Sequence, residues 1–127
     1  MTDFKQYIEK YEALLPVGTS ISFTEAERRA GEFLSAAAMI TNFRHMLGNE
    51  KIKFTTVQTA VFATEMSKGT AKTMTENKMI AESSVAYTLS REELERVEND
   101  MSYLKAYYDI FMSAHVFYRQ MARGENV

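Results

Sequence analysis

The chain predicts an all-α fold: a helical bundle or hairpin of four to five helices that ends in a long amphipathic C-terminal helix. Three observations predict it. One proline and five glycines in 127 residues leave too little turn punctuation for an all-β chain. Apolar residues at 46% and charged residues at 25% describe a globular core rather than disorder. Apolar side chains recur at three- and four-residue steps along most of the chain, the period of a helix face. At this length one domain is expected, spanning 1–127, with an N-terminal helix in 1–16, central helices in 24–88 and a long terminal helix in 90–123.

Phe4, Tyr7, Ile8, Tyr11, Leu14 and Leu15 place the first helix over Thr2–Leu15, and Pro16 stops it. Ser22 with Glu25, or Thr24 with Glu27, forms the capping box of the next. That helix is expected from Glu25 to Leu47, with Gly48 just past its end. Its inner stripe reads Ala26, Ala30, Phe33, Leu34, Ala37, Ile40, Thr41, Arg44 and Leu47, and Ala36-Ala37-Ala38 lets a neighbour approach closely. Lys51–Ser67 carries a weaker helical stripe through Ile52, Phe54, Val57, Ala60, Val61 and Met66, against the strand preference of Thr55, Thr56, Thr59 and Thr64. Gly69 interrupts, and Thr70–Tyr87 resumes a looser helix. Residues 51–88 are therefore one bent helix or a hairpin.

Leu89-Ser90-Arg91-Glu92-Glu93-Leu94 reads as a start: Ser90 as N-cap, Glu93 at N3, and Leu89 stapled to Leu94. A heptad seam follows through Leu94, Val97, Met101, Leu104, Tyr108, Phe111, His115 and Tyr118. The helix should reach Arg123, about 33 residues or roughly 50 Å. Beyond residue 106, Tyr107, Ile110, Met112, Val116, Phe117 and Met121 make it apolar on further faces. Such a helix needs cover, and a rod this long outruns a core with a radius of gyration near ~14 Å. A second copy of the chain is the expected cover. The candidate oligomer interface is Leu104, Tyr107, Tyr108, Ile110, Phe111, His115, Phe117, Tyr118 and Met121.

The chemistry of most enzymes is missing. Without cysteine there is no disulfide, thiol nucleophile or Cys-based metal site. No phosphate-cradling glycine loop, HExxH, GxSxG or Walker lysine occurs. Asn42 and Met112 precede the two histidines by three residues, which excludes the Glu-x-x-His pairs of a di-iron bundle. His115 lies among Tyr, Phe and Met, where a packed histidine is the ordinary reading and haem ligation the exceptional one. No catalytic residue, metal or cofactor is expected. No apolar run is long enough for a membrane span and no signal-peptide core opens the chain, so a cytoplasmic location is expected.

Net charge is −2, unusual for a small duplex-DNA binder. Yet residues 44–78 hold six basic groups against three acidic ones. Arg44, Lys51, Lys53, Lys68, Lys72 and Lys78 are therefore candidate phosphate contacts, with Phe54 or Phe62 as stacking partners for bases. Several copies of such a patch would add avidity.

The order of these features resembles the UvsY-type recombination mediators of bacteriophages. A basic helix-turn region, Arg44–Lys53, precedes a polar, broken stretch. Then come Glu76-Asn-Lys-Met79 and a capped terminal helix from Thr88-Leu-Ser-Arg-Glu-Glu-Leu94 through Tyr103-Leu104 and Asp109-Ile-Phe111 to Arg119. The resemblance covers residues 24–123. It implies a homo-oligomer in the host cytoplasm that binds single-stranded DNA and helps a RecA-like recombinase load. Members are richer in lysine than this chain, and the first helix has no counterpart among them. The alternative is a helical adaptor or inhibitor that binds another protein and ignores nucleic acid.

Overall fold

The computed structural model describes residues 3–16 and 20–124. Those residues form four helices and no strand: α1 (Asp3–Glu12), α2 (Phe23–Ser67), α3 (Met74–Glu82) and α4 (Val85–Ala122). The chain divides into two compact units. The first joins the chain up to His45 with the stretch from Ser102 onward; the second is Met46–Met101. Both α2 and α4 contribute a segment to each.

The first unit is built around aromatic rings. On α1, the three- and four-residue spacing puts Phe4 and Ile8 inside and Tyr7 and Tyr11 at the edge. From α2 come Ala26, Ala30, Phe33, Ala36, Ala37 and Ile40, all buried. Leu104, Phe111, Ala114 and Tyr118 of α4 complete the core. Phe33 and Phe111 meet at 5.3 Å between ring centroids, and Phe33 stacks on Tyr118 at 5.8 Å and 13°. Phe4 contacts Phe43 and Tyr103. Tyr103, Tyr107 and Phe111 continue ring to ring down α4, and Tyr11 closes back on Phe111. Such tilted and offset pairs add about 0.5–1.5 kcal/mol each beyond area burial. The inner stripe of α2 is as expected at most positions, but Leu34 and Thr41 are exposed and Arg44 half-buried. Successive helical residues point about 100° apart, so with Phe33 inside, Leu34 is carried outward.

α2 starts where its capping box puts it: the Ser22 hydroxyl accepts from the Glu25 amide at 3.1 Å. It does not stop at Leu47. The helix runs through Gly48 and on to Ser67. Gly48 has no positive φ, and a Cβ built there would meet nothing within 4 Å. A glycine in mid-helix costs only about 1 kcal/mol, and helical periodicity on both sides outweighs it. The threonines are accommodated because Thr55, Thr56 and Thr59 donate their hydroxyls to the carbonyls four residues back.

The second unit folds back after α2. In the intervening turn, the Asn77 Oδ1 accepts from the Ala71 amide at 3.0 Å, and a Cβ on Gly69 would lie 2.5 Å from that oxygen. Thr73 caps α3 by accepting from the Glu76 amide at 3.1 Å. Residues 51–88 are thus neither one bent helix nor one continuous looser helix from Thr70. α4 begins at Val85, where the Ser84 hydroxyl accepts from the Tyr87 amide at 3.1 Å. The expected start at Ser90 is therefore corrected. Ser90 lies inside the helix, buried, with its hydroxyl on the Tyr87 carbonyl at 2.7 Å, and Leu89 is exposed rather than stapled. Ser84 occupies the same kind of cap one and a half turns earlier, and a helix once begun there meets no breaker before Gly124.

Candidate interaction surfaces

The heptad seam of α4 faces inward along its length. Val97, Leu104, Phe111 and Tyr118 are buried; Leu94, Met101, Tyr108 and His115 are half-buried. Of the residues expected at an oligomer interface, Leu104, Phe111 and Tyr118 are therefore taken up by the chain's own core. Tyr107, Tyr108, His115, Phe117 and Met121 are half-buried, and Ile110 is exposed. His115 donates from Nδ1 to the Ala30 carbonyl at 2.7 Å, since a carbonyl can only accept. It is a packed, hydrogen-bonded histidine.

One polar network ties the first unit together at its α1 end. The Tyr118 hydroxyl donates to the Leu14 carbonyl at 2.6 Å and accepts from Arg29 Nη1 at 3.1 Å. Arg29 Nε in turn donates to Glu25 at 3.0 Å, and Arg28 holds the same carboxylate. Hydrogen bonds from Arg28 and then Arg29 pull the Glu25 carboxyl down to about 2. Burial, helped by hydrogen bonding, pushes the phenols of Tyr7 and Tyr107 up to about 12: Tyr11 is the partner of Tyr7, and Glu12 that of Tyr107. Beside this network, Leu15 and Pro16 face Ile110, Ala114 and Phe117 across a groove of about 520 Å³, with Asp109 and Ser113 also lining it.

The six basic candidates are divided between the units: Arg44 belongs to the first, and Lys51, Lys53, Lys68, Lys72 and Lys78 to the second. Arg44 is half-buried, and its Nε has no hydrogen-bond partner. Lys51 lies 3.9 Å from Glu98, Lys68 3.4 Å from Glu65, and Lys78 3.9 Å from Glu82. Among the described residues, Lys53 and Lys72 are exposed without a carboxylate partner. Lys51 and Lys53 do not share a face, because two helical steps turn about 200°. Phe54 and Phe62 are half-buried, and Phe62 meets Tyr87 edge-on at 5.9 Å. The acidic start of α4 belongs to this unit too, so seven basic groups face nine acidic ones, a net of −2. The local excess of positive charge along residues 44–78 does not survive the folding back of the chain.

The most unusual surface was not singled out from the sequence. In the second unit, Met46, Ile52, Val57, Met74, Met79, Ile80, Val85 and Leu89 are all exposed; its buried apolar residues are Leu47, Ala81 and Val97. Met74 is 73% exposed and Val85 77%. Single exposed apolar residues are ordinary; eight large ones on a unit with three fully buried apolar residues are an uncommon display. Helical periodicity gives these residues the appearance of core, which is why sequence alone conceals them.

Among the described residues, no helix is long and apolar enough to cross a membrane, and no cluster of His, Cys, Asp or Glu could hold a metal ion. Comparison of the chain with protein-family models, with curated proteins and with solved structures finds no match to any of them.

Proposed function

We propose that this chain is a non-enzymatic accessory protein that works as a homo-oligomer, and that its assembled form binds single-stranded DNA in support of a RecA-like recombinase. The observation that carries the first part is the outward display of eight large apolar side chains by Met46–Met101, against three fully buried apolar residues. Burying apolar surface stabilises association by about 25 cal/mol per Å², so a unit of this kind gains more from a neighbour than from water. The nucleic-acid part follows the resemblance to phage recombination mediators. It assigns phosphate contacts first to Lys68 and Lys72, which flank the turn before α3, and then to Lys51 and Lys78. Surface ion pairs such as those of Lys51, Lys68 and Lys78 are worth ~1 kcal/mol or less, so phosphate can displace the carboxylates.

Binding of a labelled oligonucleotide across a salt series tests this. Lys68→Ala with Lys72→Ala should weaken binding and lower the log–log salt slope by about 0.7 for each phosphate that is no longer neutralised. Unchanged affinity and slope would remove these lysines from the assignment, and no binding at low salt would remove nucleic acid altogether.

The groove between Leu15-Pro16 and α4 supports a second reading, in which an apolar segment of another protein docks beside Ile110 and Phe117. An adaptor of this kind would show no affinity for oligonucleotides and would be disabled by Ile110→Lys.

A further inference from the structure

The second unit carries two helix faces that complement each other. Val85, Leu89 and Glu92 follow one another at steps of four and three on α4 and so form one ridge. Val85 and Leu89 are 77% and 57% exposed; Glu92 is exposed with no cation within 4 Å among the described residues. On α2, Lys53, Val57, Ala60 and Thr64 follow similar steps. Val57, Ala60 and Thr64 line a groove of about 390 Å³ that Ala86 of the same chain also lines. Val57 is 49% exposed, and Lys53, one turn before it, is exposed with no carboxylate within 4 Å among the described residues.

We infer that the Val85–Glu92 ridge of one copy docks antiparallel along the Lys53–Thr64 face of the next, with Glu92 meeting Lys53 and Leu89 seated beside Val57. Charge complementarity selects a second copy as the occupant. Among the described residues, neither Glu92 nor Lys53 has an opposite charge within 4 Å in its own chain, and both are exposed, so each is left to meet its opposite on another copy. The spacings agree as well: three residues from Glu92 back to Leu89 and four from Lys53 on to Val57 are each about one helical turn. A row of alanine and threonine gives the shallow floor into which a ridge of larger side chains packs. The two faces differ, so the contact is head-to-tail and repeats: copies either close into a ring or extend as a filament.

The inference rests on the homo-oligomer reading, and charge reversal separates the two. Sedimentation of the wild type, Lys53→Glu, Glu92→Lys and the double variant at matched micromolar concentration reads the association directly. Each single reversal sets like charges opposite one another and should weaken association at least ~10-fold, and the double variant should restore the wild-type mass. Leu89→Asn, at an exposed position, should also lower the mass while leaving helicity by circular dichroism unchanged. A wild type that assembles while these variants keep its mass, or a double variant that does not recover, would place the contact elsewhere. A wild type that sediments as a single chain would overturn the homo-oligomer reading itself.

Discussion

At Tyr118 the ring and the hydroxyl have separate duties. The ring stacks on Phe33, while the hydroxyl joins the Leu14 carbonyl after α1 to Arg29 on α2. Tyr118→Phe keeps the ring and strips both bonds, one of them to a charged group. It should cost about 1–3 kcal/mol, read from urea unfolding of the variant against wild type. Glu25 gives this network a pH dependence. Its carboxyl is held below the usual range, so its contribution to stability is complete above pH 4.5 and fades as pH falls towards 2. Glu25→Gln should flatten the acid limb of a stability–pH profile over that window. The tyrosines act at the opposite end. Because folding raises Tyr7 and Tyr107 from 10 to about 12, their share of stability is complete below pH 10 and lost as pH climbs through 12. Phenolate absorbance of the folded protein should therefore show part of the seven tyrosines titrating late, and all of them titrating near 10 in denaturant.

Among the elements, glycine tests the boundaries most sharply. Gly48→Ala should stabilise the protein by about 0.4–1 kcal/mol, because α2 passes through that position with room for a methyl group. Had the helix ended there with glycine in the left-handed region, the same change would destabilise, so thermal melting decides between the two geometries. Gly69→Ala should destabilise, since the new methyl displaces the Asn77 amide that holds the Ala71 N–H, and Asn77→Ala should relieve part of that cost. The all-α class and the identity of the buried face of α4 were legible from periodicity, and Ser22 was legible as a cap. Gly48 and Ser90 misled because each is a strong local signal for a boundary, and local signals are outweighed when the pattern continues on both sides. Thr73 with Glu76 was a capping box in plain view, obscured by the looser periodicity around it. The surface of the second unit was illegible for a different reason: Val57, Met79 and Leu89 fit a helical period equally well whether their partner belongs to the same chain or to another.

For the molecule as a whole, charge and apolar surface point to different partners. A net charge of −2 in Met46–Met101, with most of its lysines already beside carboxylates, offers nucleic acid only a modest field. Its apolar display offers a protein neighbour considerably more. In the proposed function self-association therefore comes first, and the proposed grip on single-stranded DNA would be built from repeated weak contacts that assembly brings together. Sedimentation equilibrium of the unmodified chain at micromolar concentration is the direct test. The expected result is a particle several times 14.6 kDa that loses mass when Glu92 or Lys53 is reversed. A lone 14.6 kDa species across the concentration range would contradict it.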